Sequence, residues 1–123
     1  MLGTSKLIAI ILTKMPDKAR PYYEGILGLH FISDDPSAIV FDANGTMLRV
    51  VKVSSFTPVN YTVLGWQVED INSVIDSLHA KGIAFERFPG MSQDERGVCI
   101  FPSGAKVAWF KDPDGNLLSL TQF

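Results

Sequence analysis

Cysteine is almost missing from this chain. Cys99 stands alone among 123 residues, so no disulfide can form within the chain, which suits a reducing compartment. Clustered positive charge is missing too. Eleven Lys and Arg are scattered among thirteen Asp and Glu for a net charge of −2, which excludes a nucleic-acid footprint. No apolar run can cross a membrane. The longest early one, Leu7 to Leu12, is too short and lacks the small-residue cleavage site of a signal peptide. The expectation is a soluble cytoplasmic protein with no nucleic-acid and no membrane partner. Histidine is scarce. His30 follows the first helical segment and His79 lies on the exposed side of the second, so both read as surface or boundary residues. There is no Ser-His-Asp order, no phosphate-cradling glycine loop and no zinc-ligand spacing. Cys99 sits in a strand-like run with no adjacent base, the setting of a buried, inert thiol.

What is present suits one compact domain. Hydrophobic residues make up 46% of the chain, enough for a core at this length. Two halves share one plan. Leu7 to Leu12 is continuously apolar and predicts a strand buried on both faces. Pro16 to Leu27 predicts a helix, with Pro16 at a first helical position and Ala19, Tyr22, Tyr23 and Ile26 at helical spacing. Pro21 predicts a kink there, because it removes a backbone bond and crowds the preceding turn. Gly28 ends the helix and Leu29-His30-Phe31 begins a strand. In the second half, Tyr61 to Val68 predicts a strand and Asp70 an N-cap. Ile71, Val74, Ile75 and Leu78 make one apolar helical face, Gly82 a C-terminal stop, and Ile83-Ala84-Phe85 the next strand. Gly-Leu-His-Phe at 28–31 matches Gly-Ile-Ala-Phe at 82–85.

Hairpins close each half. Ala38–Asp42 and Thr46–Val53 flank Asn44-Gly45, a strong short turn. Gly97–Phe101 and Ala105–Phe110 flank Ser103-Gly104. A second reversal, Asp112-Pro113-Asp114-Gly115, precedes Leu117 to Phe123. The charged loop Asp94-Glu95-Arg96 reads as solvated surface, with a pocket lid as the alternative. The fold class expected is α+β: two tandem βαβββ modules, about 5–53 and 61–123, joined by the polar linker 54–60 within a single domain, 1–123.

The closing hairpin, KDPDGNLLSL at 111–120, resembles that of the vicinal oxygen chelate superfamily, which includes glyoxalase I, extradiol dioxygenases and the bleomycin and fosfomycin resistance proteins. The helix ending in Leu27-Gly28-Leu29 and the segment Trp66 to Gly82 extend the resemblance over nearly the whole chain. It implies a curved, cup-like mixed sheet with the helices outside. Metal-using members place a glutamate four residues after the hairpin glycine. Here that residue is Ser119. The other three ligand positions fall on Ile8, Arg49 and Val63. Two aliphatics, a permanent cation and a hydroxyl cannot hold a divalent metal, and a slip of one residue brings in no strong ligand. No metal and no cofactor is therefore expected, and metal-dependent glyoxalase or dioxygenase activity is not.

Strand alternation sorts what would line the cup. Met47, Arg49, Gln67, Ser119 and Thr121 would face inward with Ile8, Ile10, Val51, Val63, Gly65 and Leu117. Phe110 would pair with Leu117 and join them, leaving Trp109 toward the helices. The function expected is metal-free binding of an apolar, anionic small molecule, with Arg49 gripping a carboxylate or phosphate. An internal carboxylate or a dimer contact for Arg49 is the alternative. A cofactor-independent lyase or isomerase, or a regulatory or scaffold domain with a filled cavity, are the other functional readings. The resemblance implies a homodimer.

Overall fold

The computed structural model describes residues 1–123. It comprises two compact units, Met1–Thr57 and Pro58–Phe123, whose boundary falls within the polar 54–60 segment. Each unit is a four-stranded mixed sheet with one helix, and together they supply the two βαβββ modules of an α+β fold.

In the first unit β1 (Ile8–Thr13) leads to α1 (Pro16–Pro21), then β2 (His30–Asp34), β3 (Ala38–Ala43) and β4 (Thr46–Lys52), in the order β1-β4-β3-β2. β1 runs parallel to β4, and β3 is antiparallel to both β4 and β2. Pro21 disturbs α1 as expected. Residues Tyr22–Ile26 continue it as a π-helical turn, in which the Leu27 N–H reaches back to the Tyr22 carbonyl at 2.9 Å. The widened turn brings two consecutive tyrosines inward. The Tyr22 and Tyr23 rings meet edge-on at 5.2 Å, and Tyr23 lies 6.0 Å from Phe41 of β3. Ala19, Tyr23, Ile39, Phe41, Leu48 and Val50 are essentially sealed from solvent. Asn44 and Gly45 both adopt positive φ, 52° and 94°, the backbone that a two-residue hairpin turn requires.

β1 is not buried on both faces. Leu7, Ile8 and Ile10 are 80%, 51% and 60% exposed, whereas Ile11 and Thr13 are buried. An unbroken apolar run does not reveal that only one of its faces is covered. In this unit α1 covers one side of the sheet.

In the second unit β5 (Thr62–Gln67) precedes α2 (Ile71–Ala80), then β6 (Cys99–Ile100), β7 (Lys106–Lys111) and β8 (Leu117–Gln122), in the order β5-β8-β7-β6. The order and strand directions repeat those of the first unit. Asp70 caps α2 by accepting from the Ser73 N–H at 3.2 Å, and Gln122 Oε1 accepts from the Ile71 N–H at 2.9 Å. Ile71, Ile75 and Leu78 are buried with Leu118 and Leu120 of β8. The strand expected at 83–85 is reduced to one bridge, Phe85 opposite Phe110. The outer strand resumes only at Cys99 opposite Val107, so residues 86–98 leave its path. Cys99 is buried. The closing turn is tied by Asp112, whose buried carboxylate accepts from the Asp114 and Asn116 N–H groups and from Asn116 Nδ2 at 2.8–2.9 Å. No helix is long and apolar enough to cross a membrane.

Candidate functional site

In each unit one face of the sheet packs against the helix. The opposite face is open within that unit, and the ligand-contact residues singled out from the sequence fall on it, with one exception.

The register of sheet 1 places Ile8 beside Met47 and Ile10 beside Arg49. Across β3, Met47 faces Asp42 and Arg49 faces Val40. Paired positions on adjacent strands share a face, so Ile8, Ile10, Met47 and Arg49 form one patch, with Met47 43% exposed. Arg49 is half-buried among them. No hydrogen bond or ion pair engages its guanidinium, which acts only weakly, through space, on Asp35. The Asp35 carboxyl is held below the usual carboxylate range chiefly by the Ser37 and Ala38 N–H groups. Asp35 is thus the carboxylate that feels the Arg49 charge, without a direct ion pair. A shallow hollow of about 310 Å³ lies at the end of this face, lined by Lys6, Leu7, Ile8, Asp42, Gly45 and Met47.

The sequence predicts a surface or boundary position for His30. It opens β2 opposite Asp42, while its neighbour Phe31 pairs with Phe41 on the packed side. His30 therefore stands on the same face as Arg49. The alternation of β2 against the buried Phe41 could have revealed this.

Sheet 2 presents Gly65, Ser119 and Trp109 in one row, and Gln67, Thr121 and Val107 in the next. Gln67, Ser119 and Thr121 thus lie on the open face. Ser119 is 7% exposed, and its hydroxyl has no hydrogen-bond partner in the chain. A methyl group on Gly65 would sit 2.7 Å from the Ser119 Oγ, so the glycine leaves that hydroxyl uncovered on one side. Val63 lies in a bulge, since Thr62 pairs with Leu117 and Leu64 with Leu118.

Phe110 is the exception. Lys111 rather than Phe110 pairs with Leu117, so Phe110 lies opposite Leu118 on the packed face, fully buried. Its ring stacks on Trp66 at 6.4 Å and meets Phe85 at 5.4 Å. The physical reason is the length of the turn. The Asp112 carboxylate closes a loop of residues 112–116, one residue tighter than the expected pairing, and a one-residue change of register exchanges the faces. Trp109 takes the open side. The rings of Phe88 and Phe101 stand nearly perpendicular to it at 5.5 and 6.4 Å.

Phe88 reaches Trp109 because residues 86–98 are folded around Gln93. The Gln93 amide donates to the Glu86 and Gly97 carbonyls at 3.0 and 2.8 Å and accepts from the Phe88 N–H at 2.8 Å. Arg87 donates to the Asp94 carbonyl at 2.7 Å. Arg96 makes a two-pronged ion pair with Asp76 of α2, which holds the Asp76 carboxyl below its usual range. Asp94-Glu95-Arg96 is thus a tied surface loop.

A divalent metal does not fit the four positions the sequence singled out. Ile8, Arg49, Val63 and Ser119 offer one neutral oxygen and one fixed cation, and nowhere do three or more His, Cys, Asp or Glu side chains converge to hold a metal ion.

The chain matches, over residues 7–120, the family described as the Glyoxalase/Bleomycin resistance protein/Dioxygenase superfamily. Among curated proteins, none matches at a significant level. Solved structures share the fold. A superfamily member from Sphaerobacter thermophilus is 24% identical with a TM-score of 0.75, and each chain is covered over 100% of its length. Lactoylglutathione lyase from Agrobacterium tumefaciens is 17% identical with a TM-score of 0.74, covering 96% of this chain and 93% of its own. TnmS3, an antibiotic binding protein from Streptomyces sp. CB03234, is 20% identical with a TM-score of 0.68, covering 97% of both chains.

Proposed function

This chain belongs to the Glyoxalase/Bleomycin resistance protein/Dioxygenase superfamily, and from that premise we propose that it is a metal-free binding protein for a small, largely apolar anion. The observation that carries the reading is Arg49. A guanidinium set among Ile8, Ile10 and Met47, in no direct ion pair, offers a two-pronged grip to a carboxylate or phosphate. The donor set at Ile8, Val63 and Ser119 argues against the metal chemistry of catalytic members. The same fold serves antibiotic binding in the Streptomyces neighbour. Met47 adds a contact beside Arg49 on sheet 1, and Gln67, Ser119 and Thr121 offer polar contacts of their own on sheet 2, whereas Phe110 is withdrawn from that face.

The protein acts as a homodimer, because the exposed Leu7, Ile8 and Ile10 need a cover and a second copy supplies one. The lone buried Cys99 suits the cytoplasm.

The test is a melting-temperature screen of carboxylates and phosphates against the chain and Arg49→Ala, with zinc, manganese and iron(II) in parallel. Stabilisation by an anion, lost in Arg49→Ala with the unliganded melting temperature unchanged, supports the reading. Stoichiometric metal, or a variant that unfolds or dissociates, overturns it.

One observation favours a second reading, a cofactor-independent lyase or isomerase. Proton transfer needs a base within reach of the ligand, and His30 opposite Asp42 supplies one on the Arg49 face. Turnover of the bound ligand, lost in His30→Gln with binding retained, would select it.

A further inference from the structure

We infer that the open face of sheet 2 selects a flat, conjugated ring bearing an oxygen substituent, with Gly65, Ser119 and Trp109 as the specificity-determining residues. This rests on the binding reading above and names the class of ligand that the second unit accepts.

The two tryptophans of the chain lie on opposite faces of sheet 2. Trp66, on the packed face, lies nearly parallel to Phe110, with 25° between the planes. Its stacking is satisfied inside the protein. Trp109, on the open face, is half-buried and has no parallel partner. Phe88 and Phe101 stand at 90° and 86° to it. Both are themselves incompletely buried, Phe101 being 39% exposed. An aromatic cluster that belonged only to the core would be sealed, as Phe110 is. This one forms a wall with its indole free of any stacked side chain.

Beside that wall the row continues into a hydroxyl and a bare backbone. Ser119 pairs with Trp109 on one side and Gly65 on the other. Its Oγ is unpartnered, and it can donate to or accept from a carbonyl or hydroxyl on a ring lying against the indole. Gly65 keeps the floor low enough for such a ring to lie flat. Any larger residue there would place its Cβ against the Ser119 Oγ. Next to this row a hollow of about 280 Å³ opens, lined by Pro58, Val59, Asn60, Phe88, Lys111 and Leu117. Phe88 belongs to both the wall and the hollow, so a ring held at Trp109 has room for a substituent. Because Phe88 arrives on the 86–98 excursion, fixed by three hydrogen bonds of Gln93, the wall is a built element of the fold.

Calorimetric titration with naphthalene-carboxylate and its fully hydrogenated counterpart tests this, since both probes carry one carboxylate and similar bulk. The flat ring is expected to bind about fivefold to tenfold more tightly. Trp109→Leu is expected to remove that preference while leaving the saturated probe's affinity in place. Gly65→Ala, whose backbone needs no positive φ, is expected to weaken the flat probe with little change in melting temperature, and it serves as the test should Trp109→Leu fold poorly. Equal affinity for both probes in the unaltered chain overturns the ring selectivity while the binding reading stands. Failure of both probes to bind, with no anion found in the Arg49 screen either, overturns both readings.

Discussion

The two units repeat one topology, with the first strand parallel to the last and the same order across the sheet. Their packed faces are alike in kind: Tyr23, Phe41 and Leu48 in the first, Phe110, Leu118 and Ile71 in the second, each essentially without exposure. Their open faces differ in the groups they add to a few buried aliphatics. Sheet 1 offers aliphatics and a cation, sheet 2 an aromatic wall and hydroxyls. The packed side, which removes apolar surface from water, carries the stability of each module. The open side buries smaller apolar residues, such as Val40, Val107 and Leu117, and also carries the polar groups. The helices differ as well. α2 is a regular ten-residue helix with a side-chain cap, whereas α1 widens into a π turn after Pro21. Two local solutions deliver the same apolar face to the same kind of sheet.

This contrast can be broken most forcefully from the packed side. Tyr23→Ala and Phe110→Ala are each expected to cost about 3–5 kcal/mol in denaturant unfolding, and a much smaller loss for either would mean that the two faces are not equivalent. Removing the buried tie of the closing turn by Asp112→Ala leaves two N–H groups and the Asn116 amide without their acceptor. A loss of about 2–3 kcal/mol by the same measurement is expected. Gln93→Ala is expected to cost about 1 kcal/mol and to make residues 86–98 the first site of limited proteolysis. Unchanged proteolysis would show that the excursion holds itself without Gln93. On the open side, Arg49→Ala is expected to stay within about 0.5 kcal/mol of the parent without ligand.

The smallest effect concerns pH. Asp76 is held below its ordinary value by hydrogen bonding to Arg96, so its contribution is present above the unfolded-state value. It is lost as pH falls through the lower, folded value. Asp76→Asn should lower the melting temperature slightly at neutral pH, and the difference from the parent should vanish as pH falls through the folded value.

Features whose determinants lie within a few residues were legible in the sequence. Asn44-Gly45, the Asp70 cap, the disturbance at Pro21 and the 112–115 reversal follow from turn and helix chemistry alone. Arg49, Ser119, Gln67 and Thr121 were placed on the correct face by alternation from those fixed points. Phe110 and Trp109 were exchanged because alternation fails when the turn is one residue shorter than assumed, and the length of this turn depends on Asp112 reaching Asn116. The exposure of β1 was hidden because its composition does not say what lies against each face. The 86–98 excursion was invisible because Gln93 holds it by reaching carbonyls that no local pattern connects.

The interruption in the outer strand of sheet 2 also bears on how the protein avoids sticking to itself. A full-length outer strand would present a row of unpaired N–H and C=O groups, a template for edge-to-edge association. β6 offers only two residues, and the chain on either side turns away. β2 of sheet 1 is longer but is broken by an irregularity between Phe31 and Ser33 and ends in Asp34, with Asp35 just beyond it. Shortening 86–98 until the outer strand ran straight would complete the ladder along β7, and with it expose a margin prone to aggregation.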